Sequence, residues 1–417
     1  MLKRVAVSEV RLGMHLERLE GPWLAHPFWR TRFTIEDAAD LALLRGSAVT
    51  HCWIDDAHGW PQPEPSDDDA VAVMTAVATQ GARVAAASAA RVAPPQPGSE
   101  LASELGRAVG IVKQGRAAVG ALLNEVRLGH AVDARTCLPL VEEISGSVMR
   151  NPGALISLAR LKTADDYSYM HSVAVCALMV ALGRQLGMDE AACRTAGLAG
   201  LLHDLGKALV PLEILNKPGR LTDAERCVIQ AHPQQGHDLL LGCAAVGSEA
   251  LDVCLHHHER PDGQGYPFGL AGGQVSLLAR MGAVCDVYDA ITSNRPYKPG
   301  WDPAESIAQM GSWSGQFDPD VFKAFVHILG IYPTGSLVRL ASGRLAVVQE
   351  QNPDALVLPV VRVFFSTRSQ MPIPPRRLEL AAPGCKDRIV GREDPARWGF
   401  PHLNDLWIDG DLLRRSR

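Results

Sequence analysis

Between residues 150 and 332 of this 417-residue chain, histidine and aspartate recur at a spacing that restricts what the segment can fold into. His171, His203-Asp204, His232, His257-His258 and Asp286 follow one another at intervals of 25 to 32 residues. That interval is about one helix plus its connection, so each successive helix of a bundle can deliver one ligand or one pair to a common interior point. Imidazoles and carboxylates without thiolates suit Fe, Mn or Zn and argue against a purely structural zinc site. Each piece alone is weak, because a single histidine on an apolar helix face is usually a core or surface residue. The chain carries its own control in His237-Asp238, which follows Gly236 in a short helical stretch and is expected to be a solvated or structural pair.

Length and composition narrow the alternatives. A chain this long holds two or three domains. With 47% hydrophobic and 21% charged residues, most of it should fold as a soluble globule. The net charge of −5 supplies no global field for nucleic acid, so an anionic ligand must be met by a local basic cluster. The first ten residues lack the apolar core of a signal peptide, and the apolar run Val173 to Leu182 is too short to span a bilayer. The nine cysteines form no Cys-x-x-Cys pair and read as reduced thiols, which implies a cytoplasmic protein.

Patterning divides the chain further. Residues 1–62 read as a small α/β domain, with strands at Val5-Ala-Val7 and Val49–Ile54 and a helix from Ile35 to Leu44. The aromatic run Gly21–Arg30 is either a miniature core or a docking face for a regulatory protein. Residues 63–100, rich in Pro and Ala, read as a linker, and 101–149 as a helical connector. From 150 to 332 the periodicity is helical, and Thr222-Asp-Ala-Glu225 is a capping box. Residues 333–417 form a β-rich extension, with alternating runs at Ser336–Leu340, Leu345–Val348 and Val360–Phe365. The fold expected is mainly α, a helical bundle core between a small α/β domain and a β module. The oligomeric state is left open, a dimer included.

The strings His203-Asp-Leu-Gly-Lys207, His257-His-Glu259 and Gly265-Tyr-Pro267 closely resemble those of the HD-GYP phosphodiesterases, a branch of the HD metal-hydrolase superfamily. The resemblance covers about 150–332 and takes in Asp165–His171, Ile214–Gly219, Gly236, Asp286–Ala290, Thr292–Lys298 and Phe317-Asp-Pro319. Leu12-Gly-Met14 and His26–Arg30 look like a domain of unknown function that often precedes such units, and the terminal β module is similar to an extension seen in them. The resemblance implies a cyclic di-GMP phosphodiesterase whose product is pGpG or, after a second hydrolysis, GMP. It implies metal ligands at His171, His203, Asp204, His232, His257, His258 and Asp286, while its register leaves His256 as packing. Spacing by itself gives only a phosphoester hydrolase. A nucleotide-binding adaptor without activity and a di-iron oxygenase on the same core are the rival readings.

Hydrolysis of a phosphodiester needs a nucleophile at neutral pH and neutralisation of charge on phosphorus, which a pair of divalent ions, Fe or Mn, supplies. Asp204 is the natural carboxylate bridge. Lys207, at i+4 from His203, is expected on the same helix face, aimed at a phosphate oxygen or else at the helix dipole. Arg295 and Lys298 are candidates for the second phosphate or a guanine. Asp262, Gly263, Gly265, Tyr266 and Pro267 are expected to shape the substrate site or simply to make a turn. Asp165 and Asp289 either orient a ligand or the water, or cap helices. Some HD-GYP proteins resemble a trinuclear type, with a glutamate one turn before the first ligand histidine. Here that position is Tyr167, a neutral phenol, so two ions are expected.

Overall fold

The computed structural model describes residues 2–19, 33–35, 41, 44–45, 51–55, 101–159, 167–217, 219–243, 245–293, 300–400 and 403–408. Two compact units result. In the first, strands β1 (Leu2–Ala6), β2 (His15–Leu19), β3 (Phe33–Thr34) and β4 (His51–Asp55) form an antiparallel sheet in the order β1-β4-β2-β3. Val7, Val10, Leu16, Ile35, Leu44, Cys52 and Ile54 build its small core. The strands expected at Val5 and at Val49–Ile54 are present as β1 and β4. The aromatic run Gly21–Arg30, most of the expected helix and the whole linker lie outside the described residues.

The second unit is mainly helical. It opens with α1 (Leu101–Arg127), α2 (Leu138–Arg150) and α3 (Pro152–Ala159). Leu105, Ala108, Val109, Val112, Val119, Leu122 and Val126 recur at three- and four-residue spacing on α1 and are buried. They share one hydrophobic core with Ile144 and Val148 of α2 and with residues far beyond 150. Residues 101–149, read from sequence as a connector, therefore share one core with the helical segment that follows them.

At the centre of this unit runs α4 (Tyr167–Gln185), in which Val173 to Leu182 are all buried. An apolar run without a polar face is what a central helix requires. Among the described residues no helix is long and apolar enough to cross a membrane. Next come α5 (Glu190–Leu202), α6 (Leu212–Leu215), α7 (Asp223–Gln230), α8 (His232–Leu240), α9 (Ser248–His256), α10 (Leu277–Thr292), α11 (Pro303–Ser312) and α12 (Pro319–Leu329). Their starts are written in the sequence. Asp189 accepts from the Ala192 N–H at 2.8 Å, Ser276 caps α10, and Thr222 and Glu225 form the expected capping box.

Five antiparallel strands close the chain: β5 (Leu337–Leu340), β6 (Arg344–Glu350), β7 (Val360–Ser366), β8 (Met371–Glu379) and β9 (Ile389–Arg392), in the order β8-β7-β6-β5-β9. Its inner strand β6 is buried on both faces from Leu345 to Val348, whereas the edge strand β8 is largely exposed. Leu345 and Val347 join the helical core, while Ala346 and Val348 join a second cluster with Ile331 and Tyr332. Strand β8 carries Pro372, Pro374 and Pro375, which hide it from a strand reading. It tolerates them because it is an edge strand, where missing N–H groups break no inner ladder.

Candidate metal centre

The recurring histidines sit mostly at helix ends. His203 caps the C-terminus of α5, His257 caps that of α9, and His232 opens α8 directly after α7. The last carbonyls of a helix lack intrahelical donors. Each of these histidines gives its Nδ1–H to one: His203 to Gly200 O at 2.7 Å, His232 to Ile229 O at 2.6 Å, and His257 to Cys254 O at 3.0 Å. A carbonyl can only accept, so Nδ1 must carry the proton and Nε2 presents its lone pair inward. His171, within α4, instead donates from Nδ1 to Asp289 Oδ2 at 2.6 Å.

The inward-facing atoms converge on Asp204. Its Oδ2 lies 3.4 Å from His171 Nε2 and 3.4 Å from His203 Nε2, and its Oδ1 lies 3.2 Å from His232 Nε2 and 3.6 Å from His257 Nε2. Asp286 Oδ1, from α10, stands 3.0 Å from His171 Nε2. Two donor groups result, His171/His203/Asp204/Asp286 and Asp204/His232/His257/His258, the ligand atoms of each lying within 4.8 Å of one another. Asp204 belongs to both.

The two carboxylates and three of the histidines are held in the protonation states that donate to a cation. Burial pushes Asp204 up, but Lys207 and the imidazoles of His203 and His171 beside it outweigh burial and hold the carboxyl well below the usual range. Asp286 is likewise held well below despite burial, by the imidazoles of His171 and His203 beside it. Burial lowers His232 to about 4 and lowers His257, and burial with His257 alongside takes His258 well down. His203 moves the other way, because Asp204 and Asp286 outweigh its burial. Two buried atoms, His203 Nε2 and Asp204 Oδ1, have no hydrogen-bond partner. Polar atoms so placed are costly unless something binds them. Imidazole and carboxylate donors around such orphans fit divalent metal ions.

Lys207 does not continue the helix of His203. Helix α5 ends at Leu202, and Lys207 lies in a 3-10 turn, Leu205–Leu209, with Gly206 pressed against α8. From that turn its Nζ reaches Asp204 Oδ2 at 2.5 Å. The i+4 expectation of a shared helix face therefore fails, because the close approach at Gly206 tightens the chain there.

After His258 the loop is tightly organised. A Cβ on Gly265 would fall 2.5 Å from the Arg260 nitrogen and 2.6 Å from the His258 carbonyl oxygen, so only glycine fits. The Tyr266 ring stacks on His258 with centroids 4.6 Å apart, and the Tyr266–Pro267 peptide is cis. Asp262 is engaged inside the loop, by Arg260 at 2.5 Å and the Gln264 N–H at 3.0 Å, and Gly263 has φ +74°. Sequence reasoning missed Glu259. It is buried and accepts from the Phe268 N–H at 2.7 Å and the Leu270 N–H at 3.0 Å, tying the loop to the end of α9. Its position beside His257-His258 was the available signal.

His256 packs on Phe268 and pairs with Asp252, away from both groups. His237-Asp238 is a surface pair in which Gln234 also donates to Asp238. Asp165, Arg295 and Lys298, and the Tyr167 side chain, lie outside the described residues.

The HD-domain family profile matches residues 149–321, and that of a domain of unknown function (DUF3391) matches 2–137. Cyclic di-GMP phosphodiesterase PA4108 of Pseudomonas aeruginosa is 53% identical over 408 residues, covering 98% of this chain and 96% of the relative. Cyclic di-GMP phosphodiesterase response regulator RpfG of Xanthomonas campestris is 40% identical over 172 residues, 39% of this chain and 45% of the relative. A 3'3'-cGAMP-specific phosphodiesterase 1 of Vibrio cholerae is 35% identical over 166 residues, 39% of this chain and 38% of the relative. Fold, donor groups and relatives together define a helical HD-domain protein with a metal-binding centre. Within that class, the chain belongs to the HD-GYP family.

Proposed function

We propose that the protein is a metal-dependent phosphodiesterase that hydrolyses cyclic di-GMP to pGpG or, by a second hydrolysis, to GMP. The observation that carries this reading is the pair of donor groups joined through Asp204 in a chain 53% identical, over nearly its whole length, to a cyclic di-GMP phosphodiesterase. His171, His203, Asp204 and Asp286 would hold one ion and Asp204, His232, His257 and His258 the other, with Fe or Mn suiting the donors. Bound there, divalent ions supply Lewis acidity and lower the pKa of water towards neutrality.

The chain's own residues do the rest. Lys207, with Nζ beside Asp204, is placed to receive a phosphate oxygen as negative charge grows on it. Tyr266, stacked on His258, gives a rigid aromatic wall at the centre. Glu259 fixes the main chain of the loop that ends the wall. Arg295 and Lys298 are assigned to the second phosphate or a guanine, and Asp165 to orienting a ligand or water. A reducing, cytoplasmic setting accords with nine cysteines that are all free thiols.

The test is product analysis of anaerobically purified, metal-assayed protein incubated with cyclic di-GMP and, in parallel, 3'3'-cGAMP. Conversion of cyclic di-GMP to pGpG that stops on chelation is expected. Metal-loaded protein inert towards both nucleotides would overturn the reading. Arg295→Ala and Lys298→Ala should each weaken cyclic di-GMP binding about tenfold or more while leaving metal content unchanged.

A further inference from the structure

The two donor groups are unequal in a way that reaches past their ligands. The ring of His171 stands between two carboxylates of one helix: Nε2 faces Asp286 Oδ1 at 3.0 Å, and Nδ1 gives its proton to Asp289 Oδ2 at 2.6 Å. Asp286 and Asp289 are three residues apart on α10, so they lie on one face, and both are buried. The Nδ1 partners of His203, His232 and His257 are neutral main-chain carbonyls. A buried carboxylate behind an imidazole makes a charge-assisted hydrogen bond, fixes the tautomer and raises the basicity of the opposite nitrogen.

Net charge points the same way. Asp204 is common to both groups and cancels in the comparison. The His171 group then keeps Asp286 as a donor with Asp289 directly behind His171. The other group keeps His232, His257 and His258, with Asp286 Oδ2 standing 3.8 Å from His258 Nδ1 and outside the set of ligand atoms. Buried charges are screened less than exposed ones, so this difference favours a divalent ion in the His171 group.

We infer that Asp289 is a positioning residue that makes the centre asymmetric: the His171/His203/Asp204/Asp286 half binds its divalent ion more tightly and fills first. The inference rests on the metal-dependent reading above and specifies the order of loading within it. Asp289→Asn is the direct test, since asparagine keeps the shape and an acceptor oxygen but removes the charge.

Full-length protein stripped with chelator and titrated with Mn2+ in a calorimeter should show a tight and a weak site. In Asp289→Asn the tight site should weaken by about tenfold or more, with the weak site moving far less. A second measurement needs no variant. At one equivalent of Mn2+, the wild-type protein should give the electron paramagnetic resonance signal of isolated ions, and at two equivalents that of a spin-coupled pair. A coupled pair already dominant at one equivalent, or an Asp289→Asn titration matching wild type at both sites, overturns the asymmetry while leaving a two-ion centre. Absence of any Mn2+ binding overturns the metal-dependent reading together with the inference.

Discussion

Gly206 and His232 approach so closely that a Cβ on Gly206 would lie 2.0 Å from the His232 carbonyl oxygen and 2.6 Å from the Gly236 nitrogen. Those neighbours are main chain and cannot step aside, so Gly206→Ala must separate the turn carrying Asp204 and Lys207 from α8. Overpacking of this kind costs about 3 kcal/mol or more. A melting temperature lowered by about 6 °C or more, with partial loss of metal, is expected from calorimetry and elemental analysis.

Asp204→Ala should empty both halves of the centre, because both share that carboxylate. Turnover should fall to about 1% or less, matching the several kcal/mol that bound metal contributes to such reactions. Asp238→Ala is the matched control. Its carboxylate is 63% exposed and serves only its own helix, so activity and metal content should match wild type.

Glu259→Gln should loosen the loop without touching the donors. The charge-assisted bonds to the Phe268 and Leu270 N–H groups contribute roughly 1.5–3 kcal/mol each. The expected result is a KM for cyclic di-GMP raised about tenfold, with metal stoichiometry unchanged. A normal KM would remove Glu259 from the determinants of the substrate site.

Stability of the chelator-treated protein should fall on acidification. His232 titrates at about 4 in the folded protein against an ordinary 6.5, so between those values the unfolded chain takes up a proton that the folded one refuses. Stability present above pH 6.5 is therefore lost as the pH falls towards 4, by up to about 3 kcal/mol from this group. His257 and His258 act in the same direction; His203, whose pKa is raised, opposes them. Denaturant titrations at pH 7 and pH 5 should show the loss, and His232→Gln should reduce it.

Cutting the chain at two points should give opposite results. A fragment of residues 101–417 keeps α1 and α2 and should remain folded. A fragment of 150–417 strips Val112, Val119, Leu122, Ile144 and Val148 from the core. At about 1.5–3 kcal/mol for each large buried side chain, it should be insoluble or molten in circular dichroism and expression tests.

The sequence revealed the centre better than its framework. Period and residue type brought forward the residues that the structure gathers into the two groups, and the family resemblance chose His257-His258 over His256; metal chemistry leaves few substitutes for imidazole and carboxylate. Helix ends proved less legible. The spacing between His203 and Lys207 suits a helix, yet the contact of Gly206 with α8 sets a 3-10 turn there, and that contact involves a partner 26 residues away. Glu259 was missed because its work is done on main-chain N–H groups, which carry no residue signature. Strand β8 was hidden by its prolines, whose meaning changes once the strand is known to lie at an edge. The helical pattern of 101–149 was visible; that its apolar face joins the catalytic core depends on tertiary packing.

Because β6 is buried on both faces, with Leu345 and Val347 in the helical core, the helices cannot finish closing until the strands from Leu337 to Ser366 have been made. The donors from His171 to Asp286 leave the ribosome well before residues 337–366, and until then the surface that β5, β6 and β7 will cover stays wet and sticky. At about 5–20 residues per second, translation leaves that surface bare for several seconds. Chaperone demand during synthesis should therefore peak after the last donor has emerged and end when the terminal hairpins dock.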